Sequence, residues 1–484
     1  MKKLFPLLTT VILLLPSIIA NAQGNSYELT FTPYKFKSVK GVEVDAELGK
    51  FMVPESRSNK NSRKITLSFI RFKSTNANPG SPIIYLAGGP GGSGIFTSRG
   101  PRFDLFMAMR EFGDVIAFDQ RGTGMSNSFE ACQPLNLISI EKPGTRDELI
   151  GIIRDNLAHC MSLWKEKGMD VTGYNNYESA EDIEDLRKAL GTKKVTLWGI
   201  SYGTQLAFSF LKKYEKNTDK LILAALEATG DNIKQPLYVD HLLETIEMEI
   251  LKTPAVAVFP EFRKSMRDVL QKLDKEPVSA SIKDQKGNEI KVGISKFDVQ
   301  VVTSFFLLKN PSDIKNIPGL YRMMANGNFL EMARMVYGLR MFCSSKDFYG
   351  MSLLMDAMTG VSEKQMKIVR EQDTPSILGM TTNLPFPDLT QGLGLPDFGD
   401  IYREDISSSV PGLFLSGTLD GRTFIEDATR IARKFINVTH VIVENGGHDV
   451  FEQDPLVQDL LINYMRGEDV SRKLLLNPVE FITK

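Results

Sequence analysis

The stretch KVTLWGISYGTQLA, residues 194–207, constrains this chain more than any other. Val195, Thr196, Leu197 and Trp198 make an apolar, β-prone run, and the residues after Gly203 can continue as a helix. Between them Gly199-Ile200-Ser201-Tyr202-Gly203 is a G-x-S-x-G sequence. A serine on a sharp strand-to-helix turn needs small residues two positions to either side, because the backbone is crowded there. Such a turn lifts the hydroxyl above a sheet and leaves the N–H of Tyr202 free to face an oxyanion. The pattern is short, so matching parts have to be found elsewhere in the chain.

Residues 27–72 read as β-structure, with strand candidates at 51–54 and 64–70 around a polar turn. Residues 82–86 form a short apolar run that ends in Ala87-Gly88-Gly89-Pro90-Gly91-Gly92-Ser93-Gly94. Glycines directly after a buried strand present N–H groups with no side chains in the way, which suits an oxyanion hole built on Gly88 or Gly89. Without a lysine at P-loop spacing the segment is not a phosphate loop. After the strand at 114–118, Asp119 and Arg121 read as a charged pair bracing a tight turn. Ser179-Ala180-Glu181-Asp182 resembles a capping box opening a helix that stops at Gly191. A further apolar strand at 220–226 runs into Glu227. Apolar strands alternating with helices predict an α/β fold whose mostly parallel sheet is covered on both faces.

The rhythm breaks over residues 231–400. Amphipathic helices at 237–251 and 262–273, a methionine-rich stretch and a Pro/Gly-rich segment at 384–398 predict an inserted helical cap. Met323, Met324, Met332 and Met335 read mainly as core filling, with an adaptable substrate wall as the other use. The sheet resumes at 410–415 and again at 438–443. Asp420 and His448 therefore stand just past the C-terminal ends of consecutive strands, the edge where ligands bind in such sheets. The chain has four histidines: His159, His241, His440 and His448. The order Ser201, Asp420, His448 is that of α/β-hydrolases. In it Ser201 is the nucleophile, His448 the base and then the acid, and Asp420 the group that orients the imidazole. Asp449 and Glu444 are rival acids, but they lie in the histidine's own loop.

The formal net charge of -1 points to neither nucleic acid nor an anionic membrane as partner. Met1-Lys2-Lys3, the apolar residues 4–19 and Ala20-Asn21-Ala22 read as a signal peptide cleaved near Ala22. That predicts an exported, periplasmic or secreted protein with no membrane segment after cleavage. The division is then 1–22 signal peptide, 23–230 first core part, 231–400 cap and 401–484 second core part. In an exported protein Cys132 and Cys160 can close a loop, leaving Cys343 as a small buried hydrophobe; spacing alone does not fix the pairing. No His pair or Cys cluster has metal-ligand spacing, so neither metal nor cofactor is expected.

The motifs AGGPG at 87–91, DQRGTGMS at 119–126, GISYGT at 199–204, SGTLDGRT at 416–423 and GGHD at 446–449 together resemble the proline iminopeptidase and tripeptidyl aminopeptidase group of α/β-hydrolases. The resemblance runs over roughly residues 51–464 and is weakest in the cap. It implies release of residues or short peptides from peptide N-termini through an acyl-enzyme, and pairing of Cys132 with Cys160. It also implies an acidic residue that holds the substrate ammonium, for which Glu227 is the candidate; pointed at His448, Glu227 would instead rival Asp420. Two positions depart from the group: Ala87 where histidine is common, and Gly421 where proline is frequent. An esterase or amidase for small acyl substrates uses the same triad and is the alternative. A binding protein without catalysis is disfavoured by the intact Ser201, Asp420 and His448. The oligomeric state is not written in the sequence.

Overall fold

Among the residues described by the computed structural model (28–127, 129–284 and 286–483), ten strands form one sheet. The signal-peptide reading falls on residues 1–22, outside the described part. In chain order the strands are β1 (Thr30–Lys37), β2 (Glu43–Pro54), β3 (Lys64–Phe72), β4 (Ile83–Leu86), β5 (Val115–Asp119), β6 (Val195–Ile200) and β7 (Thr218–Ala224). They continue with β8 (Val278–Lys283), β9 (Glu289–Ile294), β10 (Gly412–Gly417), β11 (Val438–Glu444) and β12 (Leu474–Leu475). The large sheet has the order β1-β2-β3-β5-β4-β6-β7-β10-β11-β12. β1, β2, β3 and β5 pair antiparallel, and from β5 to β12 every pairing is parallel.

β6 lies near the centre and is buried throughout, as its unbroken apolar run requires. Its side chains alternate between two cores. Trp198 and Ile200 join Tyr85, Phe106 and Phe451 on one face, while Val195 and Leu197 join Ile153, Ile183 and Leu206 on the other. The helices Phe103–Met109 and Pro455–Arg466 cover the first face. Arg146–Glu166, Asn176–Ala189 and Tyr202–Tyr214 cover the second. The Asn176–Ala189 helix begins earlier than its capping-box pattern suggested. Asn175 is the cap, its side chain accepting from the Glu178 N–H, and Ser179 lies inside the helix.

Between β7 and β10 the chain leaves the sheet through the helices Pro236–Leu251, Phe262–Lys275, Lys296–Val302, Ile317–Ala325, Leu330–Cys343, Met351–Thr359 and Glu363–Asp373. The stretch is not wholly helical. β8 and β9 form an antiparallel hairpin, and Thr303–Leu307 is a π-turn. Its apolar interior is continuous with the second face of the sheet, through residues such as Tyr202, Leu226 and Met355. Met324 and Met332 are buried in that interior, whereas Met323 is exposed. No helix among the described residues is long and apolar enough to cross a membrane.

Candidate active site

Ser201 connects β6 to the Tyr202–Tyr214 helix with φ 56° and ψ -130°, a left-handed conformation that costs a non-glycine residue about 1–3 kcal/mol. The surroundings hold it there. The Ser201 N–H donates to the carbonyls of Ala224 and Ala225, both at 3.1 Å, and its carbonyl accepts from Thr204 N–H and Oγ1 at 2.7 Å. The turn leaves no space beside it: a Cβ on Gly203 would stand 2.1 Å from the Leu86 carbonyl oxygen. This crowding is the physical content of the G-x-S-x-G spacing.

The glycine loop after β4 lies against the serine. A Cβ on Gly88 would meet the Ser201 Cβ at 3.0 Å and its Oγ at 3.6 Å. No turn or loop hydrogen bond among the described residues takes up the N–H of Gly88, Gly89 or Tyr202. Where the related group commonly has a histidine, the Ala87 carbonyl is held instead by Gln120 Nε2 at 3.0 Å. Asp119 supports the same loop, accepting from Ser93 Oγ and from the N–H groups of Ile95 and Met125. Arg121 is bound to Asp182 and to the carbonyls of Glu55 and Gly173. Both residues are structural, as their place in a strand-end turn indicates.

Asp420 and His448 meet across the ends of β10 and β11. His448 Nδ1 stands 3.0 Å from both carboxylate oxygens of Asp420. Asp420 also accepts from the N–H groups of Arg422 and Thr423 and from Thr423 Oγ1. Burial pushes this carboxyl up, but the facing His448 and the donors on Thr423 outweigh it and hold Asp420 below the usual carboxylate range. The rival acids are engaged elsewhere: Asp449 by Lys309, Asn310 and Arg102, and Glu444 by Lys473. The Ser201 hydroxyl makes no hydrogen bond among the described residues, to His448 or to any other group. Ser201, Asp420 and His448 are each at most 9 % exposed, and the chain that joins β7 to β10 touches the Asp420 and His448 loops through Leu308 and Lys309.

Glu227 follows β7 on the same edge and is buried, with Lys234 Nζ 3.4 Å from its carboxylate. Burial raises its carboxyl and the Lys234 ammonium lowers it, with a net rise. Two further charged residues at this site were not singled out from the sequence. Asp356 comes from the Met351–Thr359 helix, and its carboxyl is pushed far up by burial and by the neighbouring Glu227. A lone charge in the run MSLLMDAMT was the signal available for it. Arg422 comes from the DGRT segment, where attention fell on Asp420. Tyr202 ties the serine turn to the same helix, its hydroxyl donating to Asn176 Oδ1 at 2.5 Å and lying 3.3 Å from Met355 Sδ. His440 pairs with Ser416 and His241 with Glu426, away from this cluster. Cys132 and Cys160 form a disulfide, and Cys343 is free and buried.

Residues 81–283 match the family model described as alpha/beta hydrolase fold, and residues 400–473 match that of TAP-like protein. The serine protease Hip1 of Mycobacterium tuberculosis is 28% identical over 200 residues, covering 39% of this chain and 38% of that protein. The tripeptidyl aminopeptidase of Streptomyces lividans is 27% identical over 168 residues, 33% of this chain and 31% of that one. A putative proline iminopeptidase of Mycoplasma genitalium is 30% identical over 154 residues, 31% of this chain and 35% of that one. The chain thus spans well under half the length of the curated relatives it matches. With its sheet, its serine turn and these two matched stretches, the chain has the alpha/beta hydrolase fold and is similar to proteins of the proline iminopeptidase and tripeptidyl aminopeptidase group.

Proposed function

We propose that the chain is an exported serine aminopeptidase that releases N-terminal proline or short peptides through an acyl-enzyme on Ser201. The main support is the His448–Asp420 pair at 3.0 Å, on the sheet edge where Ser201 occupies a left-handed turn. In this reading His448 Nε2 takes the Ser201 proton as Oγ attacks the carbonyl, and Asp420 holds the Nδ1–H and stabilises the imidazolium. The N–H groups of Tyr202 and of Gly88 or Gly89 receive the oxyanion. His448 then protonates the departing amine, and water repeats the sequence to free the acyl group. Residues 231–400 act as a cap that keeps bulk water from the acyl-enzyme.

Glu227 and Asp356 supply the preference for a free N-terminus. Burial raises both carboxyls even with Lys234 and Arg422 nearby, so a substrate ammonium would supply the further positive charge that keeps both ionised. The Cys132–Cys160 disulfide supports an oxidising compartment, and together with the reading of residues 1–22 as a signal peptide it favours a periplasmic or secreted location.

The test is a panel of Pro-, Ala- and Ala-Ala-Pro-linked chromogenic amides, their N-acetylated forms and a short acyl ester. The wild type is expected to cleave the amides only when the amine is free. Ser201→Ala should lower turnover by about 10⁴–10⁶-fold with folding intact. Glu227→Gln should reduce cleavage of free-amine amides by about tenfold and change turnover of the short acyl ester, which carries no ammonium, much less. Turnover of the ester alone would replace the peptidase reading with an esterase, and wild-type rates in Ser201→Ala would remove the nucleophile.

A further inference from the structure

Arg422 has its main chain fixed by the proposed triad and its side chain committed to nothing. Its N–H donates to Asp420 Oδ1 at 2.7 Å, two residues back along the chain. The guanidinium turns away and lies over the ring of Phe305, 4.6 Å from the centroid, in the Thr303–Leu307 π-turn. Among the described residues it makes no ion pair and no hydrogen bond, and its Nη1 is closed off from solvent without a partner. The fully buried Arg121 and Arg340 are bound to carboxylates, Arg121 to Asp182 and Arg340 to Asp298 at 2.8 Å. One edge of the guanidinium, at Nη1, is thus desolvated without an acceptor, which is costly, and it belongs to the residue whose main chain holds Asp420, so it is open to an acceptor that the described residues do not supply.

The geometry narrows that ligand. A guanidinium stacked on an aromatic face keeps its N–H groups in a plane that runs past the ring, a fork suited to two oxygens of one planar acceptor. The carboxylates of Asp420, Glu227 and Asp356 all lie near enough to act on Arg422 electrostatically, and they disfavour a dianionic phosphate. A single carboxylate fits both the fork and the charge balance. The cluster then has one acidic end, Glu227 and Asp356, and one free basic group, Arg422.

We propose that Arg422 binds a carboxylate of the substrate, so that the site prefers short peptides carrying both a free ammonium and a nearby carboxylate. This rests on the peptidase reading given above. The carboxylate has two possible sources, the C-terminus of a very short peptide or an acidic side chain beside the scissile bond.

The experiment compares kcat/KM for matched dipeptides in wild type, Arg422→Gln and Arg422→Lys. One pair is Pro-Gly against Pro-Gly amide, and the other is Pro-Asp amide against Pro-Asn amide. The wild type is expected to favour at least one acid over its neutral partner by about tenfold or more. A preference in the first pair assigns the C-terminal carboxylate, and one in the second assigns the side chain. Arg422→Gln should bring the ratio close to one, and Arg422→Lys should restore part of it. Equal rates within both pairs in the wild type, or a ratio unchanged in Arg422→Gln, would overturn the proposal. If Arg422→Gln fails to fold, the wild-type ratios and Arg422→Lys decide. Loss of the aminopeptidase reading shows separately, as equal cleavage of free and N-acetylated anilides. Should esters alone turn over, the ratio is read on a dicarboxylic acid monoester against its diester.

Discussion

His440 shows what the interior of this sheet does to a single base. It sits on β11 with its Nε2 2.9 Å from Ser416 Oγ, and burial lowers its pKa from 6.5 to about 4. Between those values the unfolded chain takes up a proton that the native protein refuses. Stability is therefore full above pH 6.5 and falls as the pH drops toward 4. Urea unfolding should show a loss of roughly 2 kcal/mol between pH 6.5 and 5, and His440→Gln should flatten that slope. At this scale the sequence was informative where chemistry is tied to a local turn. Ser201 and His448 were legible because a glycine-flanked residue after an apolar strand has few places to go. Asp356 and Arg422 were not, since what marks them is the company that distant segments bring. Asp356 comes near Glu227 only when the Met351–Thr359 helix meets the loop after β7, where Asn232 donates to the Asp356 carbonyl, and the unpaired Nη1 of Arg422 is a property of the folded cluster.

At the scale of elements, three residues after the π-turn link the insertion to the ends of β10 and β11. The carbonyls of Leu308 and Lys309 accept from the N–H groups of Gly421 and His448, both at 2.9 Å. Asn310 accepts from the Asp449 N–H and donates to its carboxylate, both at 2.9 Å. The positions of Asp420 and His448 thus depend on one strap from outside the sheet. Asn310→Ala should cost about 1 kcal/mol of stability, because it leaves the Asp449 N–H without its acceptor while Lys309 and Arg102 still hold the carboxylate. On the proposed reading it should lower kcat by about 10- to 100-fold with a smaller change in KM, since it shifts His448 and not Glu227. The elements themselves were read unevenly. The helices Pro236–Leu251 and Phe262–Lys275 begin within a residue of their predicted starts, because their periodicity is strong. The β8–β9 hairpin was missed, although its strands alternate around a turn containing Gly287 and Asn288. Such short polar strands stand out only once they have a partner. The helix before β6 was placed correctly but capped too late, since Ser179-Ala180-Glu181-Asp182 and Asn175 are both plausible starts on local grounds.

Across the whole molecule, the disulfide pins the segment around Cys132 to the long helix Arg146–Glu166, closing a separation of 28 residues. Reduction, or the double change Cys132→Ala and Cys160→Ala, should lower unfolding free energy by roughly 3–4 kcal/mol. The effect should vanish in denaturation run under reducing conditions, where both proteins lack the bond. Cys343 adds nothing to this exchange: burial raises its thiol to about 12, which keeps it protonated and unreactive. A larger consequence comes from how little of the Ser201–His448 neighbourhood is open to solvent. On the proposed reading that enclosure is a size filter: a loose end of a few residues would reach Ser201, and the body of a folded protein would be held off.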